Sequence, residues 1–110
     1  MRLRLSALAL AALPWLGASG PAAAQDVANQ DVANGRAIAE RWCAACHLVS
    51  PDQQTAMDGV PSFRAIAARG ALGDDALRAF LVDPHPVMPD MALTREEIAD
   101  LSAYVDSLAE

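Results

Sequence analysis

The sequence contains no lysine, and cysteine, histidine and aromatic residues are scarce. Its 110 residues include two Cys, two His and 5% aromatic residues, and 14 acidic residues against 8 arginines give a formal net charge of −6. Two cysteines permit at most one disulfide. Because an acidic surface is repelled by phosphates, the charge balance excludes nucleic acid as a partner. A chain of this length forms one small domain.

Long apolar runs and strand patterns are also missing. The longest apolar stretch, residues 5–16, is interrupted by Ser6 and Pro14, and it is shorter than the ~20 residues that span a bilayer. No segment of useful length alternates apolar and polar residues as a half-buried strand does. The sequence therefore predicts an all-α domain of about four helices.

The first 24 residues have the features of an export signal. Arg2 and Arg4 precede the apolar stretch, and residues 22–24 are the small alanines that signal peptidase requires. We predict a signal peptide at residues 1–24, cleaved after Ala24, and a periplasmic location for the mature chain. The alternative is a retained membrane anchor, whereas cleavage leaves no segment able to span a membrane.

The predicted mature chain, residues 25–110, has little apolar material for a core. It carries 6 arginines and 14 acids, a net charge of −8, and 17 of its 43 hydrophobic residues are alanine. Chains this small need a disulfide, a metal or a large apolar cofactor for stability. Residues 25–29 are repeated at 30–34. We expect residues 25–30 to form a flexible lead and residues 31–110 to form the domain.

Helical periodicity and capping signals locate the predicted helices. Gly35 lies inside the first helix, Gly70 is placed to end the second, and Thr94 with Glu97 forms a capping box at the last. Three prolines between residues 84 and 89 predict a stiff extended loop before the last helix. The predicted helices span residues 31–42, 63–69, 74–82 and 95–108.

Both cysteines and one histidine fall in a single motif, C-A-A-C-H, at Cys43, Cys46 and His47. This motif indicates covalent haem attachment. Two thiols three positions apart can add to the vinyl groups on one edge of a porphyrin, and the adjacent imidazole can bind the iron. The alternatives are a thioredoxin-like dithiol, which lacks its βαβ context here, a zinc site completed by His85, and a structural disulfide.

With this motif the chain resembles the small class I c-type cytochromes of bacteria, from about Asp31 to Leu108. Gly35, eight residues before Cys43, matches the family's helix-crossing glycine, and Leu101 with Tyr104 matches the apolar and aromatic pair that packs against it. The resemblance implies the class I cytochrome c fold, with about four helices around one covalently attached haem c.

The family's sixth iron ligand is a methionine in the loop before the last helix, often followed by proline, and Met88-Pro89 matches that pattern. A soft thioether suits reduced iron and raises the reduction potential. Met57, His85 and Met91 are the other candidates, and His85 would give bis-histidine iron of lower potential. We therefore expect His47 and Met88 to be the axial ligands.

The resemblance also implies the surroundings of the haem. Pro61, fourteen residues after His47, matches a proline whose carbonyl accepts a hydrogen bond from the axial imidazole, although a simple turn proline is the alternative. Phe63 is expected in the haem pocket, whereas Trp42 could cover the haem edge or face solvent. Further expected pocket walls are Ile66, Leu77, Phe80, Leu81 and Leu93.

These features predict an electron-transfer protein rather than an enzyme. It would be a one-electron carrier of the periplasm or the electron-accepting subunit of a periplasmic dehydrogenase. The alternative is a haem sensor or peroxidase-like protein with an open sixth coordination site. The acidic, lysine-free surface predicts a redox partner with a positive or apolar docking surface.

Overall fold

The structure is a computed structural model that describes residues 21–70, 73–82 and 88–109, with side chains for all of these except 73 and 74. In these ranges the regular elements are helices and none is a strand, which confirms the all-α prediction. The helices are α1 (Pro21–Trp42), α2 (Phe63–Ala67), α3 (Gly73–Val82) and α4 (Arg95–Ser107). Helices α1, α2 and α3 each pack against α4.

The start of α1 corrects the sequence prediction. The helix begins at Pro21 rather than Asp31, and it includes residues 25–30, which we expected to form the lead. Residues 21–30 are all exposed, so this first part of the helix owes its order to local preferences. Proline suits a first helical position, and the alanines that follow have the highest helix propensity.

Residues 1–20 lie outside the described residues, so the signal peptide and its cleavage after Ala24 stay a prediction. No helix in the described part of the chain is both long enough and apolar enough to cross a bilayer.

The first and last helices touch backbone to backbone at Gly35. This glycine is buried, and a Cβ built on it would collide with the Asp100 carbonyl oxygen and lie 2.7 Å from the Cβ of Tyr104. The absence of a side chain is therefore what lets α1 and α4 approach this closely. Next to the crossing, Ala39 and Leu101 are almost completely buried.

Helix α4 begins with the predicted capping box. The Thr94 N–H donates to Glu97 Oε2 over 2.8 Å, and the Glu97 N–H donates to Thr94 Oγ1 over 3.1 Å. Two N–H groups that the helix leaves unpaired are satisfied in this way. The hydrogen bond from the Thr94 backbone lowers the pKa of the Glu97 carboxyl group.

Helix α2 is short and has defined ends. Ser62 Oγ accepts a hydrogen bond from the Ala65 N–H at its start, and Gly70 follows with φ of +101°, the left-handed conformation expected of a terminating glycine. The helix ends at Ala67 rather than at residue 69 as predicted. An apolar cleft lies between α2, α3 and α4.

The close approach at Gly35 makes a testable prediction. Alanine is normally more stable than glycine inside a helix by about 1 kcal/mol. At this position the added Cβ must push α4 away, so Gly35→Ala should lower the free energy of unfolding by about 1–3 kcal/mol. Chemical denaturation of the haem-loaded protein measures the change. Asn34→Ala, at an exposed neighbouring position, should stay within about 0.5 kcal/mol of wild type, and an equally stable Gly35→Ala would contradict the prediction.

The capping box predicts a specific pH dependence of stability. Because the folded pKa of Glu97 is lowered, its carboxylate stabilises the native state above its unfolded pKa of about 4.3, and this contribution is lost as pH falls through the folded pKa. Between roughly pH 5 and roughly pH 3, wild type should therefore lose more unfolding free energy than Glu97→Gln, whose amide still caps but does not titrate.

Denaturant titrations at the two pH values test this prediction. Glu96→Gln is the matched control, because it removes the same charge from the same helical turn without touching the capping box. Identical pH profiles for wild type and Glu97→Gln would contradict the expected result.

Candidate functional site

The cysteine motif follows directly from the end of α1. The Cys43 N–H donates to the Ala39 carbonyl at 2.9 Å, and the His47 N–H donates to the Cys43 carbonyl at 2.8 Å. The chain from Cys43 to His47 is thus one tight turn that continues the helix. Cys43 is buried and Cys46 is partly exposed. We name residues 43–55 the cysteine loop.

The imidazole of His47 is held by its Nδ1. That nitrogen lies 2.7 Å from the Pro61 carbonyl oxygen, the contact that the family resemblance implies. A carbonyl accepts only, so Nδ1 carries the proton and Nε2 is the nitrogen that can bind a metal. The Phe63 ring lies 5.5 Å from the imidazole, centroid to centroid, at an interplanar angle of 58°.

An open apolar cleft lies between this imidazole and the three helices α2, α3 and α4. The cleft is open to solvent, and its cavity volume is about 220 Å³. Leu101 and Val105 of α4 line it, and Met88 faces it from the loop before α4. The expected walls that line it are Phe63, Ile66, Leu77, Phe80 and Leu81.

Leu93 is the expected wall that the structure places elsewhere. It is partly buried against the hydrophobic core and does not line the cleft. It lies just before the Thr94 cap of α4.

A second groove adjoins the cysteine motif. Trp42, Cys46, Met57 and Met91 line it, together with three residues shared with the cleft. The shared residues are Cys43, His47 and Met88.

Exposure distinguishes the residues of this groove. Trp42 is 47% exposed, and the Arg41 guanidinium lies 5.0 Å from its ring centroid. Met57 is also half exposed. Trp42 therefore contacts both solvent and the rim of the groove.

The candidate iron ligands have different placements. Met88 is partly buried and lines both spaces, whereas Met57 and Met91 line only the groove. His85 lies outside the described residues. The Met88 segment continues into a turn in which Asp90 Oδ1 accepts from the Ala92 N–H at 2.8 Å, and Ala92 has φ of +51°. This turn fixes the chain between Met88 and α4.

The alternatives to haem attachment find little support. Burial raises the pKa of the Cys43 thiol to about 11, the opposite of the lowered value that a reactive dithiol requires. Cys43 and Cys46 form no disulfide. Within the described ranges no group of three histidine, cysteine or acidic side chains is placed to bind a metal ion.

The residues present fit a haem. The space is apolar on its helical sides, as a macrocycle requires, and Cys43 stands at its edge beside Cys46. A histidine nitrogen and a thioether sulfur, the donors of low-spin electron-transfer haems, line the same space. Arg69 is the one arginine among its lining residues.

Sequence reasoning missed two residues of this region. Arg69 gave no signal, because a single arginine at the end of a short helix has no pattern. Gln53 lies in a segment that reads as a polar, turn-rich connection, yet its side-chain amide bonds to four backbone groups of the cysteine loop. No spacing rule identifies such a residue, since its partners are defined by the turn geometry.

Two comparisons with known proteins found a match to the chain. A family described as "Cytochrome C oxidase, cbb3-type, subunit III" matches residues 30–105. The chain is 45% identical over 78 residues to the protein named Cytochrome c-552 of Bradyrhizobium diazoefficiens, which covers 71% of this chain and 75% of that protein. No solved structure matches the chain. The chain belongs to the small bacterial c-type cytochromes, whose cofactor is a covalently bound haem c.

Proposed function

We propose that this protein is a periplasmic one-electron carrier, with one haem attached through Cys43 and Cys46 and its iron bound by His47 and Met88. The observation that carries the proposal is that His47 and Met88 line the same apolar cleft. The 2.7 Å contact between His47 Nδ1 and the Pro61 carbonyl supports the proposal, because it leaves Nε2 as the nitrogen available to the iron.

The protein's residues set the conditions for electron transfer. When bound, the haem supplies an iron that cycles between Fe(III) and Fe(II). The Met88 thioether favours the reduced state, and the apolar walls from α3 and α4 disfavour the additional positive charge of the oxidised state. Arg69 supplies a cation at the cleft for an anionic substituent of the cofactor.

The arrangement favours a carrier over a sensor or peroxidase-like protein. A sensor or peroxidase-like protein needs a sixth coordination position on the iron that no side chain occupies. Here Met88 and His47 line the same cleft. The remaining choice is between a free carrier and the electron-accepting subunit of a periplasmic dehydrogenase. Purification of the protein from its own periplasm separates the two, because a subunit is recovered with the larger enzyme.

Export and docking complete the proposal. Cleavage after Ala24 gives a mature chain with a net charge of −8 and no lysine. Such a chain suits a partner whose docking surface is positive or apolar.

The ligand assignment predicts different effects for two methionines. The wild-type ferric protein should show the weak long-wavelength absorption band of thioether–iron ligation, and Met88→Ala should abolish it and lower the reduction potential. Met91→Ala is the matched control, because Met91 is three residues away and lines only the groove. It should keep the band and a potential close to that of wild type.

Other spectra would reassign the site. If wild type binds haem but lacks the band, the sixth ligand is His85 or the sixth position is open. If the band is lost in Met91→Ala rather than in Met88→Ala, Met91 is the ligand. A periplasmic protein without haem would overturn the proposed function.

The acidic surface predicts how the carrier exchanges electrons with charged surfaces. Its electron exchange should be faster at an electrode coated with amine groups than at one coated with carboxylates. Added salt should reduce the difference, because screening acts over about 10 Å at 0.1 M ionic strength. Equal rates at the two electrodes would show that the docking face is apolar rather than acidic.

A further inference from the structure

One side-chain amide joins four backbone groups of the cysteine loop. Gln53 Nε2 lies 2.8 Å from the carbonyl oxygens of both Ala44 and His47 and 2.9 Å from that of Thr55, so its two N–H hydrogens are shared among three acceptors. Gln53 Oε1 accepts from the Val49 N–H at 2.9 Å. Both ends of the amide are therefore satisfied by backbone atoms of the same loop.

The burial of Gln53 and Val49 makes the loss of these hydrogen bonds costly. Gln53 is partly buried, and Val49 is 1% exposed. A buried polar group without a partner costs about 1–3 kcal/mol. If the amide were removed, the Val49 N–H would lack a partner in a place that water does not reach easily, so the loop would have to open to satisfy it.

The partners of Gln53 include the residues that matter most for the haem. Ala44 lies between the two cysteines, and His47 is the proposed axial ligand. The His47 ring is hydrogen-bonded through Nδ1 to the Pro61 carbonyl. The backbone carbonyl of His47 accepts a hydrogen bond from the Gln53 amide. The axial histidine is thus restrained at its ring and at its backbone by two different residues.

We propose that Gln53 is a positioning residue for the axial histidine and the haem attachments. This inference rests on the proposed His47 ligation. The amide fixes the backbone from Ala44 to Thr55, and this backbone in turn fixes the plane of the imidazole and the packing of the cysteines against the haem edge. Loss of the amide admits water to that edge, which favours the oxidised state.

The chain offers a matched pair of glutamines for the test. Gln54 is the adjacent residue and is exposed, and its side chain donates a long hydrogen bond, 3.3 Å, to the Asp52 carbonyl. Gln53→Met and Gln54→Met make the same uncharged replacement of nearly equal size at neighbouring positions. Any difference between the two variants therefore reports the hydrogen bonds of Gln53.

We expect three results for the haem-loaded Gln53→Met variant. Its reduction potential should fall, the paramagnetically shifted haem methyl signals of the ferric protein should redistribute as the imidazole plane turns, and the Val49 amide should lose protection from hydrogen exchange. Gln54→Met should match wild type in all three. Wild-type potential and methyl shifts in Gln53→Met, even with lower thermal stability, would overturn the proposal.

A second variant keeps the test decisive if Gln53→Met matures poorly. Gln53→Glu retains the acceptor for the Val49 N–H but places an oxygen against the carbonyls of Ala44 and His47. It should therefore keep protection of the Val49 amide and still shift the methyl signals, with Gln54→Glu as the control for charge. Unshifted methyl signals in Gln53→Glu would also overturn the proposal.

The two proposals fail in different ways. The thioether band of the wild-type protein tests the iron ligands and does not depend on any change at Gln53. If wild type shows the band and Gln53→Met keeps its methyl shifts, the positioning role is wrong and the ligation stands. If wild type lacks the band, the proposed function fails first.

Discussion

The backbone contact between α1 and α4 at Gly35 determines where the functional groups lie. Cys43 follows α1 by one residue, so the angle at which α1 crosses α4 fixes the position of the first attachment point. Tyr104 packs at the same crossing, and its hydroxyl donates to the Val49 carbonyl. One residue of α4 thus ties the helix crossing to the cysteine loop. A displacement of α1 would therefore move both Cys43 and the part of the cysteine loop around Val49.

Below the crossing, the core is incomplete without the cofactor. Leu77 and Leu81 of α3 and Leu101 and Val105 of α4 are buried, yet all four also line the cleft. Their outer surfaces face the open cleft. Since residues 25–110 include few large apolar side chains, a haem in this space supplies packing that the polypeptide lacks. The cofactor site and the core are therefore one structure.

Features set by local rules could be predicted from the sequence. The Thr94–Glu97 capping box, the terminating Gly70 and the close-contact Gly35 each depend on a residue type at a fixed offset, and the structure shows all three. The start of α1 was predicted ten residues late, because the repeat was interpreted as a lead and the helix-favouring alanines before it were assigned to the signal. Gln53 could not be found, since four backbone partners at different separations follow no sequence period.

The two sides of the proposed iron site are held by different means, and this difference suits electron transfer. On the histidine side, the His47 ring donates a hydrogen bond to the Pro61 carbonyl, and the His47 carbonyl accepts one from Gln53. On the methionine side, Pro89 and the Asp90 turn restrain a segment joined to α4. An iron that changes charge but keeps its ligands exchanges electrons fastest when both ligand atoms are already held in place. Every atom that has to move during the transfer adds to its activation barrier. Hydrogen bonds to a backbone and a proline-stiffened segment achieve this without a large core.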